Sequence, residues 1–338
     1  MQLKHPTPRT IHGGDLSMYI ALTGDARPLA SSTELARSLG FKREVVPELL
    51  GFHVVFGKTV RDISRNAIAN LGYADVRFLA PVYPGDTLRA ESEVIGVRES
   101  SKGESGVVWV RTRGFNQSGT EVLSYCRWVL VNKRDPDRPA PKTVVPELPD
   151  SLSVADIPVP DELNLQRWPD LTWTTGSEAG WNDYQVGQVI DHPEGMTIDE
   201  SDHTLATRLY QNNAAVHFNG HRMASSRFGK RLVYGGHVIS VAHSLAFSGL
   251  ENGLAILAWN SGVHANPTFA GDTLYARSEV VGKEEIPGRS DVGALRVKLF
   301  AFKDADPATE NIDTEPEGRK YDSRIVLALD YWLALPRS

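Results

Sequence analysis

The stretch "YQNNAAVHFN" (residues 210–219) sets a single imidazole, His217, behind carboxamides and small side chains, with Asn212 five residues before it. An ordinary histidine pKa of about 6.5 lets such a ring take up and release a proton near neutrality, which suits general acid–base work. A carboxamide at position 212 can orient a water or the ring but cannot take its proton. A related stretch, "LTGDARPLAS" (22–31), keeps Asp25 and has Ala30 where the histidine would stand. The competing reading of His217 is a core or turn histidine. His217 and His221 have the i,i+4 spacing of a metal-binding helix face, but without a third ligand or an intervening glutamate no metal site is expected.

The two stretches are matched because the chain repeats itself. "LAPVYPGDTLRAESEVIGVRE" (79–99) answers "HANPTFAGDTLYARSEVVGKEE" (264–285), and "HPTPRTIHGGD" (5–15) answers "HPEGMTIDESD" (192–202), at offsets of 186 and 187 residues. That register sets Leu22–Ala30 opposite Leu209–His217. Each half also offers a glycine-started apolar stretch, "FGKTVRDISRNAIANLG" (56–72) and "YGGHVISVAHSLAFSGL" (234–250). Val60, Ile63, Ala67, Ile68 and Leu71 recur at helical spacing in the first, which predicts a helix there. The second is apolar nearly all round and predicts an enclosed helix. Strand-like runs follow each, such as "GALRVKLFAF" (293–302) with its alternating pattern. Eight of the 20 prolines fall between Pro136 and Pro169, predicting an extended connector. The expected organisation is an N-terminal repeat over 1–133, a connector over 134–180 and a C-terminal repeat over 181–338. The acidic insert "DADPATENIDTEPEGRK" (304–320) has no first-half counterpart and reads as a mobile surface loop.

The bulk properties narrow the partners. Of 338 residues, 36 are basic and 42 acidic, a formal charge of −6, with no basic cluster or nucleic-acid motif, so nucleic-acid binding is not expected. No run of eighteen apolar residues exists, so no membrane span is expected, and the opening residues lack the apolar core of a secretory signal. A cytoplasmic protein is the default. Cys126 is the only cysteine, which excludes an internal disulfide, and its strand-like surroundings predict a buried structural thiol. No glycine-rich dinucleotide loop lies between a strand and a helix, so no cofactor is expected.

An apolar helix, several antiparallel strands and a "P…GDTL" strand entry resemble the hot-dog fold, in which a sheet wraps a long central helix. Two units in one chain resemble the double hot-dog, α+β, MaoC-like hydratases and dehydratases, which act on enoyl-CoA thioesters. That family's loop runs roughly G-D-x-N-P-x-H. His217 fits its histidine position and Asn212 stands where aspartate is usual; Asp25 fits the aspartate position of the first half, which lacks the histidine. Neither half carries the complete dyad. "GFNQSGTEVLSYCRWVLVNKRDP", "LYQNNAAVHFN" and "RLVYGGHVIS" are similar to the mesaconyl-CoA hydratases, or β-methylmalyl-CoA dehydratases, within that group.

The resemblance implies hydration of a conjugated thioester, which needs a base for water, a proton for the α-carbon and dipoles for the enolate-like oxygen. His217 takes the first role, Asn212 orients water or ring, and the Gly235 and Gly236 amides at a helix start face the thioester oxygen. Mesaconyl-CoA carries a free carboxylate, and two like charges a few ångströms apart repel by roughly several kcal/mol at an effective dielectric of about 20, which an amide at 212 avoids. Lys58, Arg27 and Arg231 are candidate cations for that carboxylate; Asn219, Tyr234 and His237 are further substrate-binding candidates. Asp25 or Asp202 could instead supply the missing carboxylate. The degenerate half is expected to make room for the acyl chain, and homo-oligomerisation as a dimer is expected. The same fold also serves hydratases of uncharged enoyl-CoA, dehydratases of carrier-protein thioesters, thioesterases and, with both dyads decayed, a non-catalytic acyl-CoA binding protein.

Overall fold

In a computed structural model, which describes residues 1–337 apart from Asn66 and Arg319, twelve strands form one continuous antiparallel sheet. The first repeat contributes β1 (Gln2–Lys4), β2 (Arg9–Thr10), β3 (Ala67–Phe78), β4 (Thr87–Glu99), β5 (Ser105–Phe115) and β6 (Glu121–Asn132). The second contributes β7 (Val189–Asp191), β8 (Met196–Thr197), β9 (Ala255–His264), β10 (Thr273–Glu285), β11 (Val292–Lys303) and β12 (Ile325–Pro336). The order is β1-β4-β5-β6-β3-β9-β12-β11-β10-β7, with β2 beside β4 and β8 beside β10. Each half thus repeats one pattern, and β3 and β9 zip the halves together through pairs such as Tyr73 with Gly262 and Val76 with Trp259.

The helices repeat as well. The first half has α1 (Gly13–Thr23), α2 (Pro28–Ser31), α3 (Thr33–Ser38) and α4 (Glu48–Ile63); the second has α5 (Glu200–Leu209), α6 (Ala215–Phe218), α7 (Gly220–Met223) and α8 (Gly235–Leu245). Two histidines mark the repeat: His5 bonds Ser92 at 2.7 Å, and its counterpart His192 bonds Ser278 at 2.8 Å. Helix α4 is buried from Leu49 to Val60 and α8 from Gly236 to Leu245, as central helices enclosed by other structure are.

The expected first-half helix over 56–72 is corrected. The helix begins at Glu48, eight residues earlier, ends at Ile63, and the chain is already in β3 by Ala67. The apolar spacing from Val60 to Leu71 straddles a helix end and a strand start, with Ser64 and Arg65 turning the chain between them. The same offset of 187 that aligns the loops aligns Gly235 with Glu48, so the first central helix has no glycine opening. The stretch 234–250 is also shorter as a helix than expected, ending at Leu245 before a turn.

The connector is a packed belt. Leu152, Val154, Ile157, Leu163, Leu165, Trp168 and Leu171 are buried against residues of both repeats, including Leu39, Leu257 and Trp332. Its backbone is tied down by Leu152 to Asn260, Asn164 to Leu39 and Leu165 to Asp291. The acidic insert differs from the mobile loop expected. Ala305 and Ile312 are buried with Phe300, Phe302 and Ile325, and Thr314 bonds Glu279 at 2.9 Å. Two apolar residues among many acidic ones suffice to pin it, which average composition conceals. Cys126 is buried in β6, and burial raises its thiol to about 11.

One contact fixes how the repeats meet near the loop that carries His217. A Cβ on Gly57 of α4 would lie 2.0 Å from the Tyr210 carbonyl oxygen. The helix of one half therefore lies directly on the backbone of the other. Gly57→Ala forces that backbone apart. Overpacking of this kind costs about 1–3 kcal/mol, read as a lower denaturant midpoint at unchanged slope; a midpoint equal to the parent's would refute the contact.

Candidate active site

The loop after α5 turns sharply because Gln211 adopts φ 55°, a left-handed conformation, and because Asn212 is buried and accepts from the Ala214 amide at 3.2 Å. Asp25 makes the equivalent turn in the first half, accepting from Arg27 N at 3.1 Å. The pair shows why carboxylate and carboxamide interchange here: the side-chain oxygen does the same work in both. The Asn212 Nδ2 group donates to no described residue.

His217 sits on the single turn α6, half-buried, with its backbone carbonyl accepting from Arg231 at 3.4 Å. Its Nδ1 lies 3.0 Å from the Leu232 carbonyl oxygen. A carbonyl only accepts, so Nδ1 carries the proton and Nε2 keeps its lone pair. Burial pushes the ring's pKa down to about 4; the Leu232 carbonyl acts in the opposite sense and His203 adds a smaller push downward. The neutral ring, with Nε2 bonded to no described residue, is in the protonation state of a base.

Helix α8 begins beside it. The Gly235 and Gly236 amides are the first two of the helix, beyond the reach of intrahelical carbonyls, and aim a fixed positive dipole outward. The glycines have a further reason. A Cβ on Gly235 would fall 2.5 Å from the His264 ring, and one on Gly236 would fall 2.4 Å from the Tyr234 ring. Tyr234, buried, stands edge-on to His217 with ring centres 5.6 Å apart and reaches His53 at 3.5 Å. The space left by the two hydrogens is therefore taken by the protein's own rings, and not left open for a thioester oxygen as the sequence suggested. At Glu48, the counterpart of Gly235, a carboxyl side chain occupies the helix start, and burial raises its pKa to about 7.

Other sequence-derived candidates fall in three places. His237 is buried on α8, held near neutral form by burial, with its pKa lowered to about 4 and only a 3.5 Å approach to Tyr210. Asn219 is exposed and caps α7 by accepting from Arg222 N at 3.0 Å, while Asp202 caps α5 through the Asp199 amide at 3.2 Å. Both side chains satisfy backbone amides at helix ends. Arg27 belongs to the other loop, where it donates to Asp25 at 3.2 Å and to the His243 carbonyl at 2.7 Å. Arg231 pairs with Glu200 and donates to Thr204. Lys58 is late in α4 rather than at its start, and its Nζ donates to Gln211 Oε1 at 2.8 Å.

Sequence reasoning missed the buried neighbours: His53, which bonds Ser240 Oγ at 2.8 Å, His203, whose two ring nitrogens have no partner among the described residues, and His264, 3.4 Å from Tyr73 OH. Burial lowers all three pKa values. Had the offset of 187 been carried through the helices, it would have put His53 opposite Ser240 on facing central helices; nothing in the sequence signals His264.

The geometry agrees with what the chain is similar to. A family model described as mesaconyl-CoA hydratase matches residues 6–311. A β-methylmalyl-CoA dehydratase of Chloroflexus aurantiacus is 54% identical over 98% of this chain and 94% of its own length. A mesaconyl-CoA hydratase of Cereibacter sphaeroides is 53% identical over 99% and 95%. Among solved structures, a MaoC-domain protein from Chloroflexus aurantiacus superposes with a TM-score of 0.94 at 53% identity, covering 100% of this chain and 95% of that one. A conserved Mycobacterium tuberculosis protein with a double hot-dog fold gives 0.73 at 23% identity over 99% and 95%, which bears on the fold alone. With two central helices wrapped by one paired sheet and a match along nearly its full length, this chain is a double hot-dog hydro-lyase that belongs to the mesaconyl-CoA hydratase family.

Proposed function

We propose that the chain catalyses the reversible hydration of mesaconyl-CoA to β-methylmalyl-CoA, with the second repeat (181–338) carrying the chemistry and the first (1–133) a degenerate site. The observation that carries the reading is the His217 tautomer: Nδ1 is committed to the Leu232 carbonyl, which leaves Nε2 as the base. In hydration, Nε2 takes a proton from water as the water oxygen bonds to the β-carbon. The π-electron pair moves onto the thioester oxygen, where the Gly235 and Gly236 amides hold it. The imidazolium then returns a proton to the α-carbon, so one residue balances the reaction, and dehydration reverses each step. Asn212 holds the turn through Oδ1 and offers Nδ2 to the water.

Of the three cations considered for the substrate's carboxylate, Arg27 and Arg231 are already paired with Asp25 and Glu200. Lys58 reaches over the same loop from α4 and is bonded only to a neutral amide, so we assign it that role. Burial, Arg9 and Arg61 lower it to about 8, which leaves it mostly charged at neutral pH. We also read the enzyme as a cytoplasmic homodimer, the assembly that paired hot-dog faces favour; light scattering on the purified chain tests the stoichiometry.

Three outcomes are expected. His217→Ala lowers turnover of mesaconyl-CoA, followed by loss of the conjugated thioester absorbance, by about 10²–10⁴-fold. A variant that stays folded and turns over like the parent removes His217 from the mechanism, and tight CoA binding without any water addition by the parent would favour a binding protein. The His217 ring is depressed from 6.5 to about 4, so its base form persists as pH falls through 6.5 and is lost only near 4. The kcat/KM profile therefore stays level where an unperturbed histidine would titrate, and an acid limb centred near 6.5 contradicts the burial of the ring. Asn212→Asp and Lys58→Met each shift preference from mesaconyl-CoA toward crotonyl-CoA, the first by like-charge repulsion and the second by loss of the counter-charge; an unaltered ratio in both removes the charge argument.

A further inference from the structure

The glycine that opens α8 is required by a side chain of the protein itself. A Cβ on Gly235 would meet Cε1, Nδ1 and Nε2 of His264 at 2.5, 2.7 and 2.7 Å, so the nitrogen-bearing side of that ring covers the helix start. His264 is the last residue of β9, half-buried, with its Nε2 3.4 Å from the Tyr73 hydroxyl on β3. Its Nδ1 bonds to no described residue. Burial lowers the ring to about 4, with a smaller push from His217, so the imidazole is neutral and carries one N–H. Burial raises the Tyr73 phenol, which keeps its proton and reaches no other described acceptor. With that phenol donating to Nε2, the imidazole proton resides on Nδ1, beside the start of α8.

The repeat separates histidines that hold the fold from those that do not. His5 and His192 occupy equivalent places, and each bonds a serine. His264 has no such twin. Counted from the shared Gly-Asp-Thr-Leu turns, at the offset of 186, it corresponds to Phe78, likewise the last residue of its strand. The same half has Ala30 for His217 and Glu48 for Gly235. Phe78 and Glu48 line one cleft there, so an aromatic ring at this strand end is enough for packing. What the second half adds is a nitrogen. It is present where the base and the glycine helix start are present, and absent where they are absent.

We propose that His264 is a further catalytic residue, whose Nδ1–H donates to the thioester oxygen as negative charge gathers there, beside the Gly235 amide. This rests on the enoyl-thioester reading above. A neutral imidazole suits the task because it donates without placing a fixed cation in a dry site. A donor already in place needs no reorganisation as the charge forms. The ring keeps its proton throughout, so His217 still carries the proton that passes from water to the α-carbon.

The test compares His264→Phe, His264→Asn and His264→Gln on mesaconyl-CoA and crotonyl-CoA. Phenylalanine is the first repeat's own residue and keeps a ring over Gly235. It should lower kcat by about 10²–10³-fold with little change in KM. The factor should be equal on both thioesters, which share the oxygen and differ in the free carboxylate. Asparagine, whose amide nitrogen falls near the Nδ1 position, should recover about tenfold over phenylalanine, and glutamine, which reaches toward Nε2, should recover less. In the His217→Ala background, which holds the unreacted thioester, His264→Phe should raise the infrared stretching frequency of the bound carbonyl. That reading needs no turnover, so it tests His264 even if the parent hydrates neither thioester. Should phenylalanine prevent folding, the comparison of asparagine with glutamine decides alone. An unshifted carbonyl, asparagine no better than glutamine, or a loss confined to mesaconyl-CoA would overturn the assignment. A parent that hydrates only crotonyl-CoA, and loses that activity with His264→Phe, keeps His264 in its role while refuting the proposed substrate.

Discussion

The arrangement rests on the contact between Gly57 and the Tyr210 carbonyl. Because a single hydrogen is all that separates helix from loop, α4 can press against the backbone that precedes His217. That closeness delivers Lys58 to Gln211 and sets His53 against Tyr210, their ring centres 4.3 Å apart. It also brings the end of α4, with Arg61, to the mouth of the loop. The second repeat supplies the loop with His217, and the first supplies the helix and the Lys58 side chain that pack against it.

A second constraint is electrical. Five imidazoles, those of His53, His203, His217, His237 and His264, are gathered around the start and middle of α8, and burial lowers the pKa of each. Close-set cations would repel one another, so the group can be packed only as neutral rings, each free to donate from one nitrogen and accept at the other. An unpartnered buried polar group costs about 1–3 kcal/mol, and His203 and His237 leave ring nitrogens unsatisfied. The neighbouring aromatic rings offset this with burial of apolar surface. A low-dielectric pocket of neutral bases is a poor place for bulk water and a good one for a single proton transfer.

Much of this was legible before any coordinates. The twofold repeat and the buried thiol of Cys126 follow from spacing and composition, while the hot-dog class and the place of His217 at a loop before a central helix follow from the family resemblance of the quoted motifs. The first helix did not: Val60, Ile63 and Leu71 satisfy a helical period across a point where the chain turns into a strand, and periodicity does not report where a segment stops. The insert was misread because Ala305 and Ile312 are two apolar residues in a run of acids. Asn219 and Asp202 each accept a backbone amide at a helix end, a use of short polar side chains that spacing alone does not separate from substrate binding. His264 was invisible because it comes from a strand of the same repeat far along the chain, and its approach to Gly235 exists only after folding.

The buried belt from Leu152 to Leu171 has a consequence of its own. Two separate hot-dog subunits would have to find one another, and their pairing would fade as the solution was thinned. Here the tether keeps β3 and β9 at a high effective concentration regardless of how many molecules are present. A covalent twin is also released from the rule that each substitution must occur in duplicate, so one loop could lose its histidine without the other losing anything.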